Sequence, residues 1–258
     1  MAKTKPQFYA LAKVAIMSKI NIIGAGLAGS EAALYLANKG HKVNLFDIKT
    51  EAKTQAHHSN DFAEIVCSNS FKSDDENSAA GLFKRELIAL GSELVKAAYQ
   101  FKVPAGQALA VDREKYSAYI TKLIKTNKNI NIVCQDVGSF DDDAITIVAT
   151  GPLTTDNMSK ALQSKLGQQF FYFYDAAAPI IDAESIDLNK AFFASRYGKG
   201  DADYLNCPMD KQEYLNFYNE LIKAQRVELH DFEKGNVFES CMPIEIMAAR
   251  GEDAIRFG

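Results

Sequence analysis

Three glycines and one aspartate near the start of the chain have the spacing of a dinucleotide site. Gly24, Gly26 and Gly29 form GxGxxG between an apolar stretch and an alanine-rich stretch. The first glycine of such a turn permits the bend, the second lets a pyrophosphate approach the backbone, and the third allows close helix–strand packing. Asp47 follows Gly29 by 18 residues, where an acidic side chain binds a ribose hydroxyl. The pattern predicts dinucleotide binding without separating FAD from NAD.

The residues between these glycines are candidates too, because backbone N–H groups at a helix N-terminus face the phosphates. They are Ala25, Leu27 and Ala28. A later segment, "ITIVATGP", runs from an apolar stretch into Ala-Thr-Gly and adds Thr150 and Gly151. It resembles the second flavin-contacting segment of flavoproteins with two dinucleotide folds. This likeness favours FAD as the cofactor.

Four cysteines, at positions 67, 134, 207 and 241, are widely spaced, with no CxxC pair. Together with the lack of a secretory signal, this predicts reduced cytosolic thiols. Cys134 lies in an apolar strand and is interpreted as a core thiol, whereas nothing activates Cys207. Cys241 stands two residues before Pro243, at the start of a predicted helix. A helix dipole stabilises a thiolate there, so Cys241 is a candidate reactive thiol, and the residues alone leave the alternative of an unactivated thiol open.

Cys67 allows three interpretations. A lone cysteine is often a small core residue. His57 and His58 lie upstream and suggest zinc, but adjacent histidines point in different directions and no second ligand pair follows, so no metal is predicted. The polar stretch "CSNS" favours partial exposure and a reactive thiol. The residues alone leave the choice open.

The elements that position these residues follow from hydrophobic periodicity. "KINIIGAGLAGSEAALYLANKGHKVNLFD" predicts strand, helix and strand, with Gly40 ending the helix. Further along, "SAAGLFKRELIALGSELVKAAYQF" is amphipathic and predicts helix, and a second helix begins at Asp112 as N-cap. "INIVCQDV" and "AITIVATGP" predict two more strands. The fold class is therefore α/β with a Rossmann-like domain and a parallel sheet.

Composition indicates a soluble globular protein, since 47% of the 258 residues are hydrophobic and 24% are charged. The net charge of −4 is not that of a nucleic-acid binder. No segment reaches transmembrane length, so we expect no membrane association and a cytoplasmic location. Residues 1–17 precede the first strand and are interpreted as a non-native extension or an upstream start.

The predicted domains follow a change in composition near residue 156. Residues 156–239 contain 9 Lys/Arg and 14 Asp/Glu. We predict the first part of a FAD-binding domain over 18–155, an inserted smaller α+β domain over 156–236, and a return to the FAD-binding domain over 237–258. The last segment contains a helix in "CMPIEIMAARG" and the start of a strand in "DAIRFG".

Seven segments occur in the order and spacing of one protein family. They are "GAGLAGSEAALYLA", "AHHSNDFAEIVCSNSFKS", "VPAGQALAVDREKYSAYIT", "VATGPLT", "FYFYDAAAPIIDAESID", "SRYGKGDADYLNCPM" and "ESCMPIEIMAARG". With these segments, the chain resembles the folate- and FAD-dependent tRNA (uracil-54-C5)-methyltransferases, often called TrmFO, from about Met17 to its last residue.

The resemblance implies a specific chemistry. NAD(P)H reduces the flavin, which takes a one-carbon unit from 5,10-methylenetetrahydrofolate and passes it to C5 of uridine 54 in the tRNA T-loop. A thiolate adds to C6 of the uracil, because C5 is otherwise too weak a nucleophile. The family's two functional cysteines fall on Cys67 and Cys241. The helix-terminus argument favours Cys241 as the C6 nucleophile and leaves Cys67 to manage the flavin adduct or a proton, and the swapped assignment stays open.

Members of this family continue well past "RFG", so the resemblance also implies that the FAD-binding domain is incomplete at its C-terminus here. Three alternatives stay open: the same chemistry on a uridine of 23S rRNA, a plain FAD oxidoreductase, and an inactive truncated fragment. The sequence predicts neither the choice of NADH or NADPH nor the oligomeric state.

Overall fold

The structure is a computed structural model, and its residues form two compact units. Unit 1 comprises Met1–Val103 and Ala108–Gln168, and unit 2 comprises Pro104–Gln107 and Gln169–Gly258. The residues that the structure describes are 19–49, 52–53, 57–66, 69–151, 154–167, 181–195, 198, 200–225 and 242–257. The predicted domain boundaries at 155 and 236 stay a prediction.

Unit 1 is built on a parallel sheet of four strands. They are β1 (Lys19–Ile23), β2 (Val43–Asp47), β6 (Ile130–Cys134) and β7 (Ala144–Val148), in the order β6-β2-β1-β7. β-branched residues are the majority in β1, β6 and β7, as expected from their preference for strands, and the buried strand residues lie in β1 and β2. The predicted α/β class with a parallel sheet is confirmed.

Strand β1 lies at the point where the strand order reverses. It pairs with β2 on one side and with β7 on the other, both in parallel. In open α/β sheets the crevice beyond the carboxyl ends of the strands at such a point binds ligands. This topology brings Gly24, Asp47 and Ala149, which lie at or just beyond the ends of the three strands, to one edge of the sheet.

Helix α1 (Leu27–Asn38) joins β1 to β2 and ends as predicted at Gly40. Gly40 has φ +91°, and its N–H donates to Ala37 O at 3.0 Å. The His41 N–H donates to Leu36 O at 3.1 Å. These two bonds form a Schellman motif, which turns the chain into β2.

The amphipathic stretch predicted as helix is two helices, α2 (Ala79–Ala89) and α3 (Glu93–Gln100). Gly91 has φ +94° and breaks the helix, and the Ser92 hydroxyl then accepts the Val95 N–H at 3.1 Å as a new N-cap. The apolar stripe is buried on α3 but not on α2, where Leu82 is 54% exposed.

The remaining elements of unit 1 form a small sheet and two more helices. The antiparallel sheet has the order β3-β5-β4. The elements are β3 (Ser70–Ser73), β4 (Lys102–Val103), β5 (Ala108–Val111), α4 (Arg113–Thr126) and α5 (Asp156–Leu166). Asp112 caps α4 as predicted, since its Oδ1 accepts the Lys115 N–H at 3.1 Å.

One hydrophobic core joins the parallel sheet to its helices. Its fully buried members, at 0% exposure, include a strand residue from each of β1, β2 and β5 and two residues of α4. They are Ile22, Leu45, Leu109, Ile120 and Ile124. Burying each such side chain stabilises the fold by about 1.5–3 kcal/mol. The core therefore fixes the sheet edge that carries the glycine turn.

Unit 2 contains a short antiparallel hairpin and three helices among its described residues. They are β8 (Phe192–Ala194), β9 (Tyr204–Asn206), α6 (Lys211–Lys223), α7 (Ile244–Ala249) and α8 (Ala254–Phe257), with a 3-10 turn at Ala183–Ser185. The predicted helix after Pro243 is present, but the strand predicted in "DAIRFG" is wrong. Ala254–Phe257 of that segment form α8, where the Arg256 N–H donates to Asp253 O at 3.1 Å.

Candidate functional site

The glycine turn after β1 has the backbone geometry that its sequence predicts. Gly24 has φ +97°, and a Cβ there would lie 2.6 Å from Ala149 O. Its N–H donates to Phe46 O at 2.8 Å. A Cβ on Gly29 would lie 1.8 Å from Gly24 O. Any larger residue at these two positions would push the turn away from β7 or from α1.

Gly26 differs from the other two glycines, because the space that a side chain would occupy there is empty. A Cβ built there meets nothing within 4 Å. Gly26 is also the N-cap of α1, and no side chain in the described part of the chain caps that end. The first N–H groups of α1 therefore lack a side-chain acceptor, which is the arrangement that binds phosphate at helix N-termini.

Asp47 is tied to the glycine turn by its carboxylate. Its Oδ2 accepts the Ala25 N–H at 2.7 Å, and its Oδ1 accepts the Lys49 N–H at 2.9 Å. Each carboxylate oxygen has two lone pairs, so each retains one for a ligand hydroxyl. Ala25 itself is fully buried, and it contributes to the site only through its backbone.

The segment after β7 forms the opposite wall of the same edge. The Ala149 N–H donates to Ile23 O at 2.7 Å and extends the β1–β7 pairing toward the turn. Thr150 bonds Thr154 through their hydroxyls. Gly151 has φ +68° and, like Gly26, leaves its side-chain direction open.

These two loops enclose a cavity of about 380 Å³ at the carboxyl edge of the sheet. This volume is typical of small-molecule sites. Seven of the nine residues predicted to bind a cofactor line it: Gly24, Gly26, Leu27, Ala28, Asp47, Thr150 and Gly151. The other two, Ala25 and Gly29, support the turn from behind. The structure therefore brings all nine to one place.

A buried ion pair in the cavity wall was not predicted from the sequence. Lys49 is 4% exposed, and its Nζ lies 3.2 Å from Glu64 Oε2. The same Nζ donates to Asp61 O. Glu64 Oε1 accepts the backbone N–H groups of His58 at 2.9 Å and Ser59 at 3.1 Å. The pair thereby fixes the segment 57–66 against the end of β2.

Burial and the ion pair shift the pKa values of two side chains in this wall, Glu64 and His57. Burial raises the pKa of the Glu64 carboxyl, but hydrogen bonds from His58, Ser59 and Lys49 outweigh it, so this pKa lies below its usual value. The pKa of His57, which also lines the cavity, is lowered mainly by burial and then by the charge of Lys49. His57 is therefore mostly neutral near pH 7.

The segment 57–66 also bonds directly to the glycine turn. The Ala63 N–H donates to Ala25 O at 2.8 Å, and the Phe62 N–H donates to Thr121 Oγ1 at 2.8 Å. His57 and His58 are the histidines whose spacing to Cys67 suggested zinc, and Cys67 lies outside the described residues. In the described part of the chain no group of three or more metal-ligating side chains comes together.

The two cysteines predicted to be functional, Cys67 and Cys241, lie outside the described residues, and their roles stay predictions. Of the other two, Cys134 is half-buried at the end of β6 and not fully buried as a core thiol would be. Cys207 is exposed. None of the helices described here combines the length and the apolar character that a membrane span needs.

The chain matches one family model and is similar to several curated proteins. A family model described as "Glucose inhibited division protein A" matches residues 19–257. A relative from Fusobacterium nucleatum is 54% identical over 240 residues, which are 93% of this chain and 55% of that protein. One from Acetivibrio thermocellus is 53% identical over 239 residues, again 93% and 55%. Both are named methylenetetrahydrofolate–tRNA-(uracil-5-)-methyltransferase TrmFO.

The chain thus spans about half the length of the curated relatives that it matches. Among solved structures, Aquifex aeolicus GidA aligns with 54% of this chain and 26% of its own, at 23% identity and a TM-score of 0.42.

Proposed function

The chain belongs to the glucose inhibited division protein A family, and on that premise we propose that its cavity binds FAD. The observation that supports this most is the bond of 2.7 Å between the Ala25 N–H and Asp47 Oδ2, which joins the glycine turn to the acid at the end of β2. Both parts of a dinucleotide fingerprint are thereby held at one sheet edge.

The described residues fit the ribose and pyrophosphate parts of such a cofactor. The open space at Gly26 and the uncapped N-terminus of α1 suit a pyrophosphate, and Asp47 suits a ribose hydroxyl. Thr150 and Gly151 close the opposite wall. When bound, FAD would supply electron transfer, and these residues would orient it and exclude water from it.

We propose that the protein transfers a one-carbon unit from methylenetetrahydrofolate to C5 of uridine 54 in the tRNA T-loop; its relatives are named methylenetetrahydrofolate–tRNA-(uracil-5-)-methyltransferase. NAD(P)H would serve as reductant. Cys241 would add to C6 of the uracil, and Cys67 would act as the second thiol. The identity above 50% over 93% of this chain supports the proposal.

The FAD proposal is tested with one glycine and its matched control. Gly26→Ala places a methyl group in open space, so the protein should fold normally, yet the methyl group would occupy the approach of the pyrophosphate. Gly138→Ala, outside the cavity lining, meets the Asn157 Cβ at 3.3 Å and serves as control. We expect Gly26→Ala to weaken FAD binding at least about tenfold, measured by quenching of flavin fluorescence.

Equal FAD affinity in both variants, or no FAD binding by the unaltered chain, would refute the FAD proposal. The methylation proposal is tested separately, by formation of 5-methyluridine in tRNA with a labelled folate donor. Cys67→Ala and Cys241→Ala should each abolish the product while FAD binding persists.

A further inference from the structure

The charged side chains around Asp47 decide which kind of ribose the cavity accepts. A dinucleotide with a free ribose 2′-hydroxyl pairs with an acid at the end of the second strand, whereas a 2′-phosphate needs a nearby cation. Among the described residues that line the cavity, Lys49 is the lysine or arginine that could serve. It stands two residues after Asp47.

Lys49 is not available as such a cation, because its charge is balanced inside the protein. Its side chain is 4% exposed, and its Nζ contacts Glu64 Oε2 at 3.2 Å as well as Asp61 O. The Glu64 side chain is itself 9% exposed, and its carboxylate accepts two backbone N–H groups. Displacing Lys49 toward a phosphate would leave this carboxylate buried and unpaired, which is strongly unfavourable.

The remaining charge at this end of the cavity is negative. Asp47, Lys49 and Glu64 together carry −1, and the neutral ring of His57 adds no positive charge near pH 7. Asp47 keeps acceptor sites for a hydroxyl but repels a phosphate. Like charges brought together at an interface weaken binding strongly.

We infer that Glu64, by pairing with Lys49 inside the protein, withholds this cation from a ribose 2′-phosphate, so that the cavity accepts a dinucleotide with a free ribose 2′-hydroxyl and rejects one with a 2′-phosphate. The inference rests on the proposed FAD site and adds to it the basis for excluding NADP-type dinucleotides. A reductant of that type would have to react from a different position.

The test uses the whole chain with FAD bound and two competitors that differ in one phosphate. ADP-ribose and 2′-phospho-ADP-ribose are titrated against bound FAD, whose flavin fluorescence reports displacement. We expect ADP-ribose to compete at least about tenfold better. If the two competitors displace FAD equally well, or if neither displaces it, the inference is overturned while the proposal that the cavity binds FAD still stands. If FAD itself does not bind, the proposed function fails first and the inference with it.

Two variants test whether Glu64 acts by neutralising Lys49. Glu64→Gln keeps an amide oxygen for the His58 and Ser59 N–H groups but removes the charge that balances Lys49. The preference for ADP-ribose should then fall to about threefold or less. Lys49→Met removes the cation and should preserve or increase the preference.

Glu86→Gln, on an exposed position of α2, is the matched control and should leave the preference unchanged. Thermal melts by circular dichroism establish which variants are folded. An unchanged preference in folded Glu64→Gln overturns the inference, as does a lost preference in folded Lys49→Met. The wild-type competition decides by itself if neither variant folds.

Discussion

Units 1 and 2 differ in how their described residues are held together. Unit 1 has a continuous core, in which side chains such as Ile22 and Leu45 are fully buried. The buried apolar side chains among the described residues of unit 2 are three small ones, Ala191, Pro243 and Ala248. Larger apolar side chains of unit 2 are exposed, with Leu188 at 62% and Phe193 at 60%.

The described part of unit 2 is organised by hydrogen bonds instead. The Tyr204 hydroxyl donates to Ala105 O at 3.0 Å, and the Gly106 N–H donates to Asp203 Oδ2 at 2.8 Å. The Tyr218 hydroxyl links α6 to α7 through Ala248 O at 3.2 Å. A rigid binding cavity needs a packed frame, and unit 1 supplies one. The difference is consistent with the proposed cofactor site lying in unit 1, whose described residues form a packed core.

The largest expected effect tests this difference with one substitution in each unit. Leu45→Ala removes a fully buried side chain from β2, whereas Leu188→Ala removes an exposed one from unit 2. We expect Leu45→Ala to lower the free energy of unfolding by about 2–5 kcal/mol. Leu188→Ala should change it by less than about 0.5 kcal/mol. Urea unfolding followed by circular dichroism measures both, and similar losses would mean that Leu188 is packed in solution.

The second largest expected effect is on the loss of folding stability at low pH, which should come from unit 1. The pKa of Glu64 is lower in the folded state than its usual value, so its stabilising contribution is present above about pH 5. That contribution is lost as the pH falls through the folded pKa, because protonation then favours unfolding. Glu64→Gln should therefore show a shallower loss of stability between about pH 5 and pH 3.

Asp253→Asn in unit 2 is the control for the acid series. Asp253 pairs with Arg256 at 3.4 Å, but its side chain is 74% exposed. Pairs this exposed contribute little to stability. The midpoint of urea unfolding, followed across pH, should have the same acid slope in Asp253→Asn as in the unaltered chain. An equal change of slope in both variants would remove the distinction between the units.

How far the sequence predicted these features depends on the distance between the residues involved. The glycine turn is local, and its backbone requirements at Gly24 and Gly29 follow from the spacing alone. The Schellman end at Gly40 and the cap at Asp112 are local too. All of them are present, because short-range sterics and hydrogen bonds determine them.

The Lys49–Glu64 pair was missed because its members are 15 residues apart, across a stretch with no regular periodicity. The sequence did contain a signal for the break between α2 and α3: Gly91 followed by Ser92 and Glu93 is a helix end followed by a helix start. The apolar repeat through that break indicated continuous helix instead. Periodicity reports which face is apolar, and the exposed Leu82 shows that an apolar face is not always covered.

The smallest expected effect compares helix caps in the two units. Ser92 caps α3 from a buried position, where its hydroxyl also donates to Glu31 at 2.5 Å, and it is 3% exposed. Asp210 caps α6 in a capping box with Glu213, on an exposed surface. Both caps satisfy N–H groups of their own helix, so each substitution to alanine should be destabilising.

Ser92→Ala should cost about 2 kcal/mol and Asp210→Ala about 1 kcal/mol, since removal of Ser92 also takes a donor from the Glu31 carboxylate. Urea unfolding measures both, and Ser185→Ala in the short 3-10 turn gives the baseline for an exposed serine. If Asp210→Ala were the more damaging change, unit 2 would depend on α6 more than its described packing indicates. If both substitutions lower the free energy of unfolding equally, the units would differ in their hydrophobic packing and not in their helix caps.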